Sequence, residues 1–466
     1  MSALPDQLVE FVRQHQATLY RTTEFAKVER AVGMLLESSL IDAPIGTVCE
    51  LEHGNLRIPC EIVGFSDRRC FLMALAPING VQSGSWLRVP SGASGLQGDL
   101  AQLPMLDDMT GRVVNGLAEP LDGKDSFNRF EPALVQAPIN PMLRPAISET
   151  LDTGVAVINS LLTVGVGQRV GIFAGSGVGK SVFLGMLARQ VQADVVVVGL
   201  IGERGREVAE FVQDVLGPSL ARAVVVASPA DDSPSMRLRA ARLAAQLAEA
   251  HARRGRRVLL LMDSLTRVAQ AQREIGLAMG EPAATKGYTP SSFAWLPRLV
   301  ERAGRFTESG GSVTGFYTVL MEEDDLQDPV VDTARAILDG HIVLSRDLAD
   351  QGIYPAVDVC ASVSRLMNKL APESQQDLAQ TFRHLWHTYE DQRDLINLGA
   401  YRRGSDEVID KAIDAYPGMC SYLTQRLDER VSMADALANL SQALAAPATE
   451  PSLIANAAGD FPALTN

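Results

Sequence analysis

Apolar positions change their spacing several times along the 466-residue chain. Near the start, Leu4, Leu8, Phe11, Val12 and Leu19 recur at helical intervals with charged residues between them, which predicts an amphipathic helix over 4–20. From about 25 to 92 the apolar stretches shorten, as in Ile58–Phe65 and Cys70–Ala76, and Gly and Pro interrupt them. That texture predicts a small β-barrel or sandwich. Residues 93–145 are rich in Gly and Pro and read as a connecting region. From about 146 to 370 strands and helices alternate. Gln168–Phe173, Val195–Ile201, Val224–Ala227 and Val258–Met262 are short apolar runs. Between them lie a helix at Ser181–Val191, with Val182, Phe183, Met186, Leu187 and Val191 apolar, and an Ala-rich helix at Ser235–Arg254. Continuous apolar strands separated by helices predict an α/β fold with a parallel sheet covered on both faces. Residues 371–440 are helical in pattern with a turn at Gly399–Ser405, and Ser441–Asn466 is Ala- and Pro-rich and expected to be loose. No internal repeat of solenoid length is present.

Composition narrows this picture. Hydrophobic residues make up 46% and charged residues 21%, which excludes a mainly disordered or coiled-coil chain. The net charge of −14 argues against nucleic acid as the partner, because that binding runs on phosphate neutralisation by Lys and Arg. The five cysteines, Cys49, Cys60, Cys70, Cys360 and Cys420, are odd in number and widely spaced, so a disulfide framework or zinc site is not expected. The first residues lack a secretory h-region, and no apolar run approaches the ~20 residues of a membrane helix, so a cytoplasmic protein is expected. The most basic run, Arg253–Arg257, could bind nucleic acid but fits better a solvated helix end, where cations favour the negative dipole terminus. The histidines show no metal-ligand spacing, and His341 reads as a core residue.

The strongest chemical signal is Ala174-Gly175-Ser176-Gly177-Val178-Gly179-Lys180-Ser181, placed after a strand and before a helix. Glycines let the backbone fold so that several N–H groups point at phosphate oxygens, and the helix N-terminus adds a favourable dipole. Lys180 supplies charge to the β- and γ-phosphates, and the Ser181 hydroxyl can ligate Mg²⁺. Ala174 departs from the strict pattern, which has Gly there. Asp263 ends an apolar strand and suits a magnesium-directed carboxylate, or else it caps the next helix. Glu203 and Arg204 follow another apolar strand. A carboxylate there can polarise an attacking water and a guanidinium can hold the γ-phosphate, unless the two are a plain ion pair.

These motifs, in this order, resemble the hexameric rotary-type ATPase family over roughly residues 25 to 440. The segment Pro355-Ala-Val-Asp358-Val-Cys-Ala-Ser362-Val-Ser364, followed by Arg365, is similar to that family's P-[SAP]-[LIV]-[DNH]-x-x-x-S-x-S signature. Within it, the phosphate loop, Ile337–Arg346 and Asp394–Asp406 resemble the flagellar export (FliI-type) branch. The resemblance implies a RecA-like core at 93–370, an N-terminal β-barrel at 25–92, a partner-binding helix at 1–24, a C-terminal helical domain at 371–440 and a flexible tail at 441–466. It also implies Glu203 as general base, Arg204 at the γ-phosphate, Asp263 acting on Mg²⁺ through water, Tyr354 stacking on adenine, and Arg365 as an arginine finger supplied by a neighbouring subunit. Glu323 stands where Gly is expected in this branch, and Ala283 where Pro is usual in the 280–290 loop that faces the central pore in relatives.

The implied activity is hydrolysis of MgATP at hexamer interfaces, energising docking, unfolding and export of flagellar subunits. The implied partners are a FliH-type peripheral-stalk regulator on the N-terminal helix, a FliJ-type central stalk protein, chaperone–substrate complexes and the export gate at the inner membrane. The resting state is left open between monomer, regulator-bound dimer and hexamer. The alternatives are a virulence-type (injectisome) secretion ATPase, an RNA-translocating hexameric helicase, a non-catalytic ring subunit and a catalytic subunit of ATP synthase.

Overall fold

The computed structural model describes residues 24–39, 41–54, 56–66, 68–89, 102–132, 140–321 and 328–445. The helix expected over 4–20, the departure at Glu323 and residues 446–466 lie outside them.

Six strands come first: β1 (Glu24–Val32), β2 (Leu35–Ser39), β3 (Val48–His53), β4 (Leu56–Ser66), β5 (Arg69–Ala74) and β6 (Trp86–Val89). They close into a barrel in the order β1-β2-β5-β4-β3-β6, with β6 paired to both β1 and β3. Alternate side chains turn inward, so Ala26, Val28, Leu36, Cys49, Leu51, Cys60, Ile62, Cys70, Leu72, Leu87 and Val89 fill the interior. All five cysteines are free thiols, and the three in the barrel are buried.

The chain continues with β7 (Gln102–Pro104), β8 (Arg112–Val114), β9 (Phe130–Pro132), β10 (Arg169–Ala174), β11 (Val195–Ile201), β12 (Ala223–Ser228), β13 (Arg257–Asp263), β14 (Gly304–Arg305), β15 (Ser312–Leu320), β16 (Gly340–Leu344) and β17 (Val357–Ser364). The described residues fall into two compact units. One lies within Met1–Pro145 and Val195–Ser312, the other within Ala146–Asp194 and Val313–Asn466.

In the first unit, β13, β11, β12 and β8 run parallel, side by side. β11 and β12 are buried along their whole length, which is why their sequences are mostly β-branched and small apolar residues with no polar alternation. The stretch expected to be a connecting region therefore contributes a sheet strand, β8. Only three residues pair, Arg112–Val114 against Val224–Val226, too few for an apolar pattern to stand out. β8 is held from outside by Arg112, whose Nε and Nη2 donate to the two carboxylate oxygens of Asp122 at 2.7 and 3.2 Å. The helix Pro234–Arg253 packs on the barrel, with the buried Arg239 directed at Glu61 (3.4 Å) and the Gly46 carbonyl (3.4 Å).

The basic run at the end of that helix is the solvated end expected from sequence, with Arg253, Arg254 and Arg257 exposed, and acidic partners also meet it. Arg253 donates to the buried Glu249 at 2.9 Å and lies over Phe306. Arg254 pairs with Glu131, and Arg256 donates to Asp107 at 2.7 Å. Two of these acidic partners, Glu131 and Asp107, are distant in sequence.

In the second unit, β15, β10 and β16 are parallel and β17 returns antiparallel to β16. The C-terminal helices are Glu373–Asn397, Glu407–Leu423 and Met433–Ala445, so residues 441–445, expected to be loose, complete a helix. Gln375 on the first of these donates to the Asn159 and Ser160 carbonyls and to Thr163. Phe382 stacks on Trp386 and meets Tyr422 edge-on. These contacts fasten the helices to the short helix Ala156–Leu161.

Candidate functional site: a phosphate loop and its surroundings

β10 ends at Ala174, which is fully buried and whose carbonyl accepts from the Met321 N–H at 3.0 Å. Ala174 is still strand there, so it does not need the freedom of the glycine usual at that position. The loop then turns through Gly177 (φ +80°) and Gly179 (φ +87°), left-handed conformations that favour glycine. Val178 anchors the turn in the core, while Ser176, Gly177 and Ser181 are exposed and Lys180 is half-buried. Gly179 is the N-cap of the helix Lys180–Gln190, and no side chain caps it. A helix start without a side-chain cap is a place where an anion can be received. Phe183, Leu184, Met186 and Leu187 bury the inner face and fix the helix.

Tyr354 is brought to this loop. Its ring lies so close to Gly179 that a Cβ there would sit 3.1 and 3.3 Å from two ring carbons. The Tyr354 side chain is 39% exposed, enough to leave ring surface for a planar base. Gln425 holds it from behind. Its N–H donates to the Tyr354 carbonyl at 2.8 Å, and its side chain joins Gly154 and Ala156 at 2.8 Å each. Arg346, the second residue after the β16 end, donates to the Ser176 carbonyl at 3.0 Å. Sequence reasoning singled out neither Gln425 nor Arg346. For Arg346 the signal was available: it follows β16 at the edge where Ala174 ends β10, since Ala174 and Leu344 are paired.

In the other unit, the strand ends carry the acidic candidates. The register Leu200↔Asp263 sets Asp263 beside the end of β11, after which Glu203 follows. Gly202 (φ +71°) makes the turn and donates to the Ser228 carbonyl at 2.7 Å, with Arg267 packed against it. Glu203 is half-buried and its carbonyl accepts from Ala230 at 2.9 Å. Arg204 is exposed and lies 3.5 Å from Glu207. Asp263 is buried and does not cap the following helix. Ser264 does, accepting from the Arg267 N–H at 3.3 Å.

Arg365 is kept away from the phosphate loop of its own chain. Its N–H donates to the Asp339 carbonyl and its Nη2 to the Arg335 carbonyl, while the Asp339 N–H donates to Arg169. These contacts lie at the start of β10, whereas the phosphate loop lies at its end. The strand separates the two edges by roughly 16 Å at about 3.3 Å per residue. The signature residues around it shape β17. Asp358 accepts from the Cys360 and Ala361 N–H groups at 2.9 Å, Ser362 accepts from Val343 at 2.9 Å, and Ser364 donates to the Thr163 carbonyl at 2.7 Å. His341 is half-buried and stacks on Phe173. In the 280–290 loop Ala283 is exposed, and the loop closes without a proline there through the Ala284 N–H donating to the Tyr288 carbonyl at 2.7 Å.

Residues 154–364 match the ATP synthase alpha/beta family, nucleotide-binding domain, and residues 371–442 match the T3SS EscN ATPase C-terminal domain. The chain is 50% identical over 428 residues to the flagellum-specific ATP synthase of Salmonella typhimurium, covering 90% of this chain and 94% of that one. The chain belongs to the flagellum-specific ATP synthase family. With the Pseudomonas aeruginosa member it shares 51% over 422 residues (89% and 92% covered), and with the Bacillus subtilis member 45% over 423 (90% and 94%). Among solved structures, the assembled ATPase EscN of the enteropathogenic E. coli type III secretion system superposes with a TM-score of 0.82 at 36% identity. It covers 90% of this chain and 100% of that one. EscN in complex with its central stalk EscO gives 0.79 at 35% identity, with the same coverage. As a member of this family the chain is a flagellum-specific ATPase, and the barrel, mostly parallel sheet and C-terminal helices agree with the fold expected from sequence. Among the described residues no helix is long and apolar enough to cross a membrane.

Proposed function

We propose that the chain assembles into a homohexamer that hydrolyses MgATP at subunit interfaces to energise flagellar protein export. The observation that carries this is the placement of Arg365. It is exposed at one edge of β10 while the phosphate loop occupies the other, so a finger at this position serves a neighbour's nucleotide. The uncapped helix start, the left-handed glycines and Lys180 suit a nucleotide's phosphates, and the exposed Ser181 hydroxyl suits a hard cation.

Glu203 polarises the water that attacks the γ-phosphorus in line. Lys180 and Arg204 hold the γ-phosphate oxygens, and the partner's finger neutralises charge that develops on them. Tyr354 stacks on adenine and fixes the base. Ser181, and Asp263 through water, would hold Mg²⁺, which would supply positive charge to the phosphates. A finger in trans makes turnover depend on assembly.

The cellular reading follows from the family. The enzyme works in the cytoplasm, docked at the inner-membrane export apparatus. The N-terminal segment takes a FliH-type regulator, a FliJ-type protein occupies the centre of the ring, and chaperone–substrate complexes dock before passing to the export gate. An assembled state and a central stalk are known for EscN. The higher identity to flagellar relatives favours the flagellum over a virulence-type machine.

The test is Arg365→Ala. Binding of a fluorescent ATP analogue should stay within about twofold of wild type, while phosphate release falls by ~10³ or more, the usual worth of an arginine finger. Wild-type turnover in this variant would refute the interface assignment.

A further inference from the structure

Arg346 opens the short helix Arg346–Asp350, one residue beyond the end of β16, and its Nη2 donates to the Ser176 carbonyl at 3.0 Å. The Ser176–Gly177 peptide is trans. In a trans peptide the C=O and the following N–H point to opposite sides, so a guanidinium seated on the Ser176 oxygen fixes where the Gly177 N–H points. That control matters here. Gly177 has no side chain and sits at φ +80°, so its peptides can reorient at little steric cost. Eight residues on from Arg346, on the far side of Gly352, the same segment touches the loop again through the Tyr354 ring against Gly179. One stretch of chain thus grips the loop at its tip and at its helix end.

We propose that Arg346 is a positioning residue that braces the phosphate loop, holding the Gly177 N–H in the orientation that receives a phosphate oxygen. Its charge, set against the carbonyl, also polarises that N–H. Arg346 touches the loop rather than the substrate, and the assignment rests on the nucleotide site proposed above.

The test compares ATP with inorganic tripolyphosphate, binding each to the full-length chain by calorimetry, alongside kcat and KM. In Arg346→Met, affinity for both ligands should fall by the same factor, about tenfold, which is what losing one charge-assisted hydrogen bond is worth. KM should rise by a similar factor with kcat changed less than about threefold, and the melting temperature without ligand should not move. Arg346→Lys keeps the charge and one donor and should recover most of the tripolyphosphate affinity. Tyr354→Ala should weaken ATP alone. Unchanged tripolyphosphate affinity in Arg346→Met overturns the brace, whether or not that variant melts early. A wild-type chain that binds neither ligand overturns the nucleotide site itself, and the brace with it.

Discussion

Replacing Gly179 by alanine separates two kinds of strain at one position. The residue sits at φ +87°, where an alanine side chain crowds the backbone at a cost of about 1–2 kcal/mol. The new methyl would also lie 3.1 Å from Tyr354 Cε1 and 3.3 Å from Cδ1, tighter than ordinary contact. The ring must yield by a few tenths of an ångström, yet its peptide is held by Gln425, so the overlap adds about 1 kcal/mol. Gly179→Ala should therefore lose about 2–3 kcal/mol in urea unfolding followed by circular dichroism. In a Tyr354→Ala background the overlap is gone and only the backbone share remains. The double-mutant cycle should then show about 1 kcal/mol of favourable coupling. ATP affinity of Gly179→Ala should fall as well, because the displaced ring is the surface proposed to stack on the base. Strictly additive stabilities would refute the contact, and a Gly179→Ala chain as stable as wild type would refute both shares.

Three further outcomes are expected. Glu203→Gln should bind ATP and fail to release phosphate, so a filter assay should recover uncleaved nucleotide; normal turnover would remove Glu203 from the role of base. Burial alone would raise the Asp122 pKa, but hydrogen bonds from Arg112, Lys124 and Val113 outweigh it and hold the carboxyl at about 2, below its ordinary 3.8. A depressed carboxylate stabilises the fold above the unfolded value and loses that contribution as pH falls through the folded one. Asp122→Asn should therefore lose about 1 kcal/mol at pH 7, with the gap closing between pH 4 and 2; a gap that widens on acidification would contradict the sign. Gly311→Ala would drive a methyl to within 2.0 Å of the Ala252 carbonyl oxygen, so a loss of about 3 kcal/mol is expected in the same urea assay.

The parts of this fold that sequence discloses are those in which many residues vote together. β11, β12 and the helix Pro234–Arg253 appear within one residue of their expected limits because unbroken apolar runs have few other places to go. β8 shows the opposite case, since three residues at a sheet edge carry no period of their own. Glycine spacing betrays the phosphate loop because the backbone conformation itself is the function. Arg346 and Gln425 act by touching backbone carbonyls and amides distant in sequence, and no spacing rule encodes such a contact. The ion pairs of the basic run at Arg253–Arg257 are hidden for the same reason, as Glu131 and Asp107 lie more than a hundred residues away.

In the proposed assembly, the opposed positions of Arg365 and the phosphate loop on β10 would make each active site the shared property of two neighbouring subunits. A subunit with Lys180→Ala still lends its finger, and one with Arg365→Ala still offers its nucleotide pocket. Two inactive proteins mixed in equal amounts should therefore regain activity. In randomly filled rings about one interface in four pairs an intact pocket with an intact finger. The double variant in a single chain gives nothing back and spoils the sites on both its sides, so it would act as a dominant poison at modest dosage.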